Sequence, residues 1–93
     1  MIVGVLKLEV FIGGASSLKD KRRVVRRVCD RVRARHNVAI AEVGECDLWQ
    51  RSTLGVACVS NEMKLVESVL SSVLRDVEME TDLEVTRCER TIV

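Results

Sequence analysis

Between Ser17 and Arg35 the chain carries nine basic side chains: Lys19, Lys21, Arg22, Arg23, Arg26, Arg27, Arg31, Arg33 and Arg35. Only Asp20 and Asp30 oppose them, so nine cations less two anions leave this segment at +7. The whole chain is nearly neutral, with 15 Lys and Arg against 14 Asp and Glu. The balancing acids lie elsewhere. Glu62 to Glu84 holds seven acids and two bases, a local charge of −5. Charge segregated in this way gives a directional field that steers an anionic partner. Seven of the nine cations are Arg, whose planar fork fits phosphate oxygens better than an ammonium does.

Placed on one helix, these residues repel each other. Lys19/Arg23, Arg22/Arg26, Arg23/Arg27, Arg27/Arg31 and Arg31/Arg35 are like charges at i,i+4. Each such pair costs about 0.2–0.5 kcal/mol in an isolated helix. Cations also crowd the first turns, where the helix dipole favours anions. The helix gives up roughly 1–3 kcal/mol that a neutral surface would keep. Three arrangements answer that repulsion: phosphates of a bound RNA, the acidic second half of this chain or of a neighbouring copy, or plain solvation. RNA or a ribosomal subunit is the partner expected first. Its contacts would be Lys19, Arg22, Arg23, Arg26, Arg27 and Arg33, with Trp49 and Arg51 beside them.

Other residues offer weaker chemistry. Lys21 falls in the middle of the apolar stripe of the same helix, where its stem can run along the core edge with its ammonium in water. Trp49 is the only Trp, in Glu45-Cys46-Asp47-Leu48-Trp49-Gln50-Arg51. It would either stack a base or anchor a partner, or else bury its ring and tie a loop to the core. Glu45 and Asp47 are two carboxylates without a third metal ligand. His36 is the only His and lies at a helix end, near the last carbonyls. Cys29, Cys46, Cys58 and Cys88 contain no close pair, so neither a zinc knuckle nor a disulfide framework is expected. Gly13-Gly14 precedes a helix start but lacks both the Walker and the dinucleotide-binding patterns. No Ser-His-Asp order, carboxylate pair or nucleophile elbow is visible. The expectation is a non-enzymatic protein with no catalytic residue, cofactor, metal or small-molecule substrate.

The elements that must position these residues follow from periodicity. Met1–Ile12 alternates, with Leu6, Leu8, Val10 and Ile12 on one face and Val3, Val5, Lys7, Glu9 and Phe11 on the other, so it reads as a strand. Ser17 and Asp20 form a capping box for a helix to about His36. Leu18, Val25, Val28, Cys29 and Val32 make its apolar stripe, and Asn37 stops it. Val38–Val43 and Gln50–Val59 read as strands joined through Gly44–Trp49. Ser60 or Asn61 caps a second helix to about Val77, with Met63, Val66, Val69, Leu70, Val73 and Val77 inward. An acidic turn, Glu78–Asp82, leads to a last strand, Leu83 to about Ile92.

This β-α-β-β-α-β order is the α+β, ferredoxin-like sandwich: a four-stranded antiparallel sheet with two helices on one face. At 93 residues and 47% apolar content it is one domain, 1–93, with its own core. No run is long and apolar enough for a membrane span, and no basic leader precedes the first strand, so a cytoplasmic protein is expected. The second sheet face is left bare. Val3, Val5 and Phe11 on it lead to the expectation of a homo-oligomer.

Three segments together resemble the YlxP-like family of small bacterial proteins, domain of unknown function family 503. They are Met1-Ile2-Val3-Gly4-Val5-Leu6, Ser17-Leu18-Lys19-Asp20-Lys21-Arg22-Arg23, and Ala41-Glu42-Val43 followed by Asp47-Leu48-Trp49-Gln50-Arg51. Leu54-Gly55-Val56-Ala57 and Val59-Ser60-Asn61 continue the match over almost the full length. The part after Val77 matches least, and the cysteines look peculiar to this sequence. Genes of that family often lie near those for translation initiation and ribosome maturation factors, so the resemblance implies a role around ribosomes or RNA. It carries over no catalytic residue.

Overall fold

Alternation of apolar and polar residues makes Ile2–Phe11 the first strand, β1, of a computed structural model that describes residues 1–93. The elements that follow are α1 (Leu18–Arg35), β2 (Ala39–Gly44), β3 (Arg51–Ser60), α2 (Met63–Glu78) and β4 (Glu84–Ile92). The sheet order is β2-β3-β1-β4, and every neighbouring pair is antiparallel. This is the ferredoxin-like sandwich that the sequence order implies.

β1 pairs with β3 from Ile2↔Ser60 to Phe11↔Arg51. That register puts Leu6, Leu8 and Val10 beside Val56, Leu54 and Ser52 on the helix-covered face. Val25, Val28, Cys29 and Val32 of α1 and Val66, Leu70, Val73 and Val77 of α2 close the core over them. α2 lies hard against β1 at Gly4. A Cβ there would fall 2.4 Å from Val66 Cγ1 and 2.9 Å from Leu70 Cδ1, so this approach needs glycine.

The helix boundaries depart from the sequence reading in small ways. Ser17 caps α1 by accepting from Asp20 N at 3.1 Å, but the Asp20 carboxylate reaches Ser16, not Ser17: Ser16 N and Oγ donate to it at 3.1 and 2.8 Å. α1 ends at Arg35, with His36 as its C-cap. α2 starts after Glu62, which makes no side-chain cap bond, so neither Ser60 nor Asn61 is the N-cap. The Ser60 hydroxyl instead accepts from Glu62 N at 3.2 Å, holding the turn before the helix. Met63, assigned to the inward stripe by period, is exposed because it precedes the first turn that packs on the sheet.

The other sheet face has no helix over it. Ala39, Ala41, Val43, Gly55, Ala57 and Val5 line a shallow apolar depression on its β2 side. Toward β4 the same face turns polar, where Arg87 lies 2.7 Å from Glu89 and 3.7 Å from Glu9. No helix is long and apolar enough to cross a membrane. Cys29 and Cys58 are buried free thiols; Cys46 and Cys88 are exposed free thiols. Burial pushes the Cys29 thiol up from its ordinary pKa, which disfavours the nucleophilic thiolate.

Candidate nucleic-acid interface

The nine cations of α1 divide into three groups. Arg27, Arg31, Arg33 and Arg35 are engaged within the chain. Arg27 pairs with Asp82 at 2.6 Å, and Arg31 pairs with Glu80. Arg35 lies 3.5 Å from Asp76. Arg33 reaches Asp30 at 3.1 Å and donates to the Ile40 carbonyl at 2.7 Å, closing part of the β2 edge. Acids of α2 and of the turn after it thus answer Arg27, Arg31 and Arg35, as intramolecular pairing requires. Arg27 and Arg33, both among the expected RNA contacts, are held by these acids and by a backbone carbonyl.

Lys21 forms a group of its own. It is completely buried, contrary to the expectation of an ammonium in water. Its Nζ lies 2.9 Å from Glu42 Oε2 and donates to the carbonyls of Glu45 (3.0 Å), Cys46 (3.0 Å) and Arg51 (3.3 Å). The buried Ser52 hydroxyl donates to the same Glu42 oxygen at 2.6 Å. The cation serves the β2–β3 connection from beneath and belongs to no outer surface. The sequence held a signal for it. Lys21, Glu42 and Ser52 each occupy a core-facing position by period, on three different elements. Three polar residues so placed predict one internal network, because buried charge without partners costs several kcal/mol.

Lys19, Arg22, Arg23 and Arg26 are the third group. They are exposed and have no acid within salt-bridge distance. Their spacing of i, i+3, i+4 and i+7 places all four on one side of the first half of α1. Together with Arg27 and Asp30 they line an open surface groove. The stripe ends where Asp30 takes Arg33. Asp20, near its start, is already committed to Ser16, whose hydroxyl and backbone N–H hold the carboxyl below its usual range.

The β2–β3 connection completes this side of the molecule. Glu45 adopts a left-handed conformation, φ 55°, and its carbonyl also accepts from Leu48 N at 3.2 Å. Gln50 is exposed and bonds back onto the β1–α1 turn. Its Nε2 donates to the Gly13 and Ala15 carbonyls at 3.0 and 3.4 Å, and its own carbonyl accepts from Ile12 N at 2.7 Å. Trp49 is 56% exposed, so its ring does not tie the loop to the core. Arg51 sits 5.8 Å from the centre of the Phe11 ring, in cation–π range. His36, expected over the last carbonyls of α1, instead meets Asp76 at 2.7 Å.

The surface carries a ridge of four cations with no acid at salt-bridge distance and, in the β2–β3 connection, an exposed Trp. The sequence comparisons agree with the fold. The model of the family described as "Protein of unknown function (DUF503)" matches residues 3–90, and the chain belongs to that family. A curated relative, "Uncharacterized protein YlxP" of Bacillus subtilis (strain 168), is 38% identical over 90 residues, covering 95% of this chain and 98% of the relative. Among solved structures, a de novo designed protein with a ferredoxin fold superposes with a TM-score of 0.57 at 15% identity, covering 99% of this chain and 85% of that one.

Proposed function

We propose that the protein is a non-enzymatic RNA-binding module that grips the phosphate backbone through Lys19, Arg22, Arg23 and Arg26, on ribosomal or other structured RNA. One observation carries this reading. After the chain has paired every cation it can from α1, these four stay exposed on one side with no acid partner. Repulsion at Lys19/Arg23 and Arg22/Arg26 still costs about 0.4–1 kcal/mol, which a bound phosphate row would relieve. Arg also forks onto phosphate oxygens with paired hydrogen bonds. The implied link of YlxP-like genes to the translation machinery supports RNA over other polyanions. Filter binding to ribosomal subunits and total RNA at low salt tests it. Retention that is lost in the triple variant Arg22→Ala, Arg23→Ala, Arg26→Ala is expected. No retention of wild-type protein would end the proposal.

A second reading rests on the bare sheet face. Val43 and Val59 on it are each 61% exposed, beside Ala39, Ala41 and Ala57. An apolar surface of this kind on so small a chain suits a second copy. Self-association through the sheet leaves the α1 ridge free, so the two readings are compatible.

A further inference from the structure

The β2–β3 connection is pinned far more tightly than a simple link between strands needs. Lys21 Nζ holds two of its carbonyls, and that of Arg51 at the start of β3, from inside, and Gln50 clamps it to the β1–α1 turn. The product of this bracing is an exposed indole at a fixed place. Trp49 contributes little to the core, so the bracing does not serve burial of its ring. Leu48, Trp49, Gln50 and Arg51 line a shallow depression with Ala15 and Ser16. Ser16 lies one helical turn before Lys19, where the free cation ridge begins. The depression thus borders the segment that leads into α1, on which the ridge lies.

Two features of the depression point to a nucleobase. First, it offers the flat π surface of the exposed Trp49 indole, which can stack a base, beside Arg51, whose guanidinium lies over the Phe11 ring. Second, its lining joins three apolar residues, Ala15, Leu48 and Trp49, to Ser16, Gln50 and Arg51, and includes neither Glu45 nor Asp47, so the loop's two acids do not face it. An apolar protein anchor would want a ring of apolar neighbours, and here Leu48 is the only exposed large one in the loop besides Trp49.

We infer that the Trp49–Arg51 surface is a stacking platform for an unpaired base, so that the module takes single-stranded RNA, or a loop of folded RNA, rather than continuous duplex. This deepens the proposed function and rests on it: phosphates run along Lys19, Arg22, Arg23 and Arg26 while a base splays onto Trp49. Stacked bases inside a duplex cannot reach the indole, whereas unpaired ones can.

Trp49 is the sole Trp and there is no Tyr, so intrinsic fluorescence reports this site alone. The test titrates full-length protein at low salt with three probes: oligo(A) of about ten nucleotides, an RNA duplex of equal length, and inorganic polyphosphate, which has charge but no bases. Quenching of Trp49 by oligo(A), with weaker binding of the duplex, is expected. Trp49→Ala should weaken oligo(A) binding by about 5- to 150-fold, the range for one stacked base. It should leave polyphosphate binding unchanged, with circular dichroism showing an intact fold. Equal affinity of wild type and Trp49→Ala for oligo(A) would overturn the platform while leaving the phosphate grip standing. Failure of all three probes to bind would remove the grip and the platform with it. An indole spectrum that ignores oligo(A) but shifts with an RNase-treated lysate would overturn the platform in favour of a protein contact.

Discussion

The ammonium of Lys21 lies 2.9 Å from the carboxylate of Glu42 with the lysine side chain fully out of water. It also donates to two carbonyls of the β2–β3 connection, Glu45 and Cys46, and to that of Arg51 at the start of β3. Breaking one side of a buried pair leaves the other charge uncompensated, at about 3–5 kcal/mol. Lys21→Met, which keeps the length and apolar stem, should lower stability by that amount in urea unfolding. The double variant Lys21→Met, Glu42→Leu should lose less than the two single losses summed, because the residues share one interaction. Additive losses would show that the pair is not coupled.

The same pair marks where sequence reading stops. Strand and helix order was legible because alternation in β1 and the 3.6-residue stripe in α2 each point to one face. Boundaries blurred where a cap is made by an unexpected neighbour, as when Asp20 bonds Ser16 or Ser60 holds Glu62 N outside the helix. Lys21 was visible as a charge on an apolar stripe, but its fate depended on Glu42 and Ser52 from distant segments. The division of the nine cations was likewise hidden. Which arginines meet Glu80, Asp82 and Asp76 follows from how α2 and the turn after it fold beside α1, and no spacing within α1 encodes it. Trp49 left both readings open, because a lone Trp can bury its ring to tie a loop down or present it to a partner.

Acid stability should depend on Asp76. The His36 side chain hydrogen-bonds its carboxyl and, with Arg35, holds it below the usual carboxylate range. A carboxyl depressed in the folded state adds stability above its unfolded pKa. That contribution is lost as pH falls through the lower folded value. Wild-type protein should therefore weaken as pH drops from about 4 downward. Asp76→Asn should be less stable at pH 7 and show a shallower fall below about pH 4. Parallel urea midpoints for the two proteins between pH 6 and 2 would refute the assignment.

Removing ridge cations should separate binding from stability. With about four phosphates contacted on a single strand, log K should fall with log salt at a slope near −3. The triple variant Arg22→Ala, Arg23→Ala, Arg26→Ala should flatten that slope to about −1. The same change relieves like-charge pairs along α1 and places three alanines in a helix, so thermal stability should hold or rise. A steep slope that survives the triple change would place the phosphate contacts elsewhere.

Self-association, if the sheet face drives it, should resist salt. Apolar burial is insensitive to ionic strength, whereas pairing of one copy's basic helix with another's acidic helix is screened. The structure weakens the second route, because Glu80, Asp82 and Asp76 already hold Arg27, Arg31 and Arg35 of their own chain. The first route has a surface in place, with Val5 of β1 opposite Ala57 of β3, and Ala39, Ala41 and Val43 of β2 on the far side of β3. Burying about 600 Å² of apolar area yields a gross ~15 kcal/mol at ~25 cal/mol per Å². Ordering and association remove about 4–15 kcal/mol of that, so a dimer of roughly micromolar affinity is expected. Light scattering at about 100 µM should then give twice the 10.4 kDa chain mass in low salt and again near 0.5 M salt. Val5→Glu, a charge set into the middle of the apolar face, should return the mass to that of one chain without touching α1. A single-chain mass for wild-type protein in both salts would rule out the sheet-face dimer, and a dimer that dissolves only in high salt would return the contact to the helices.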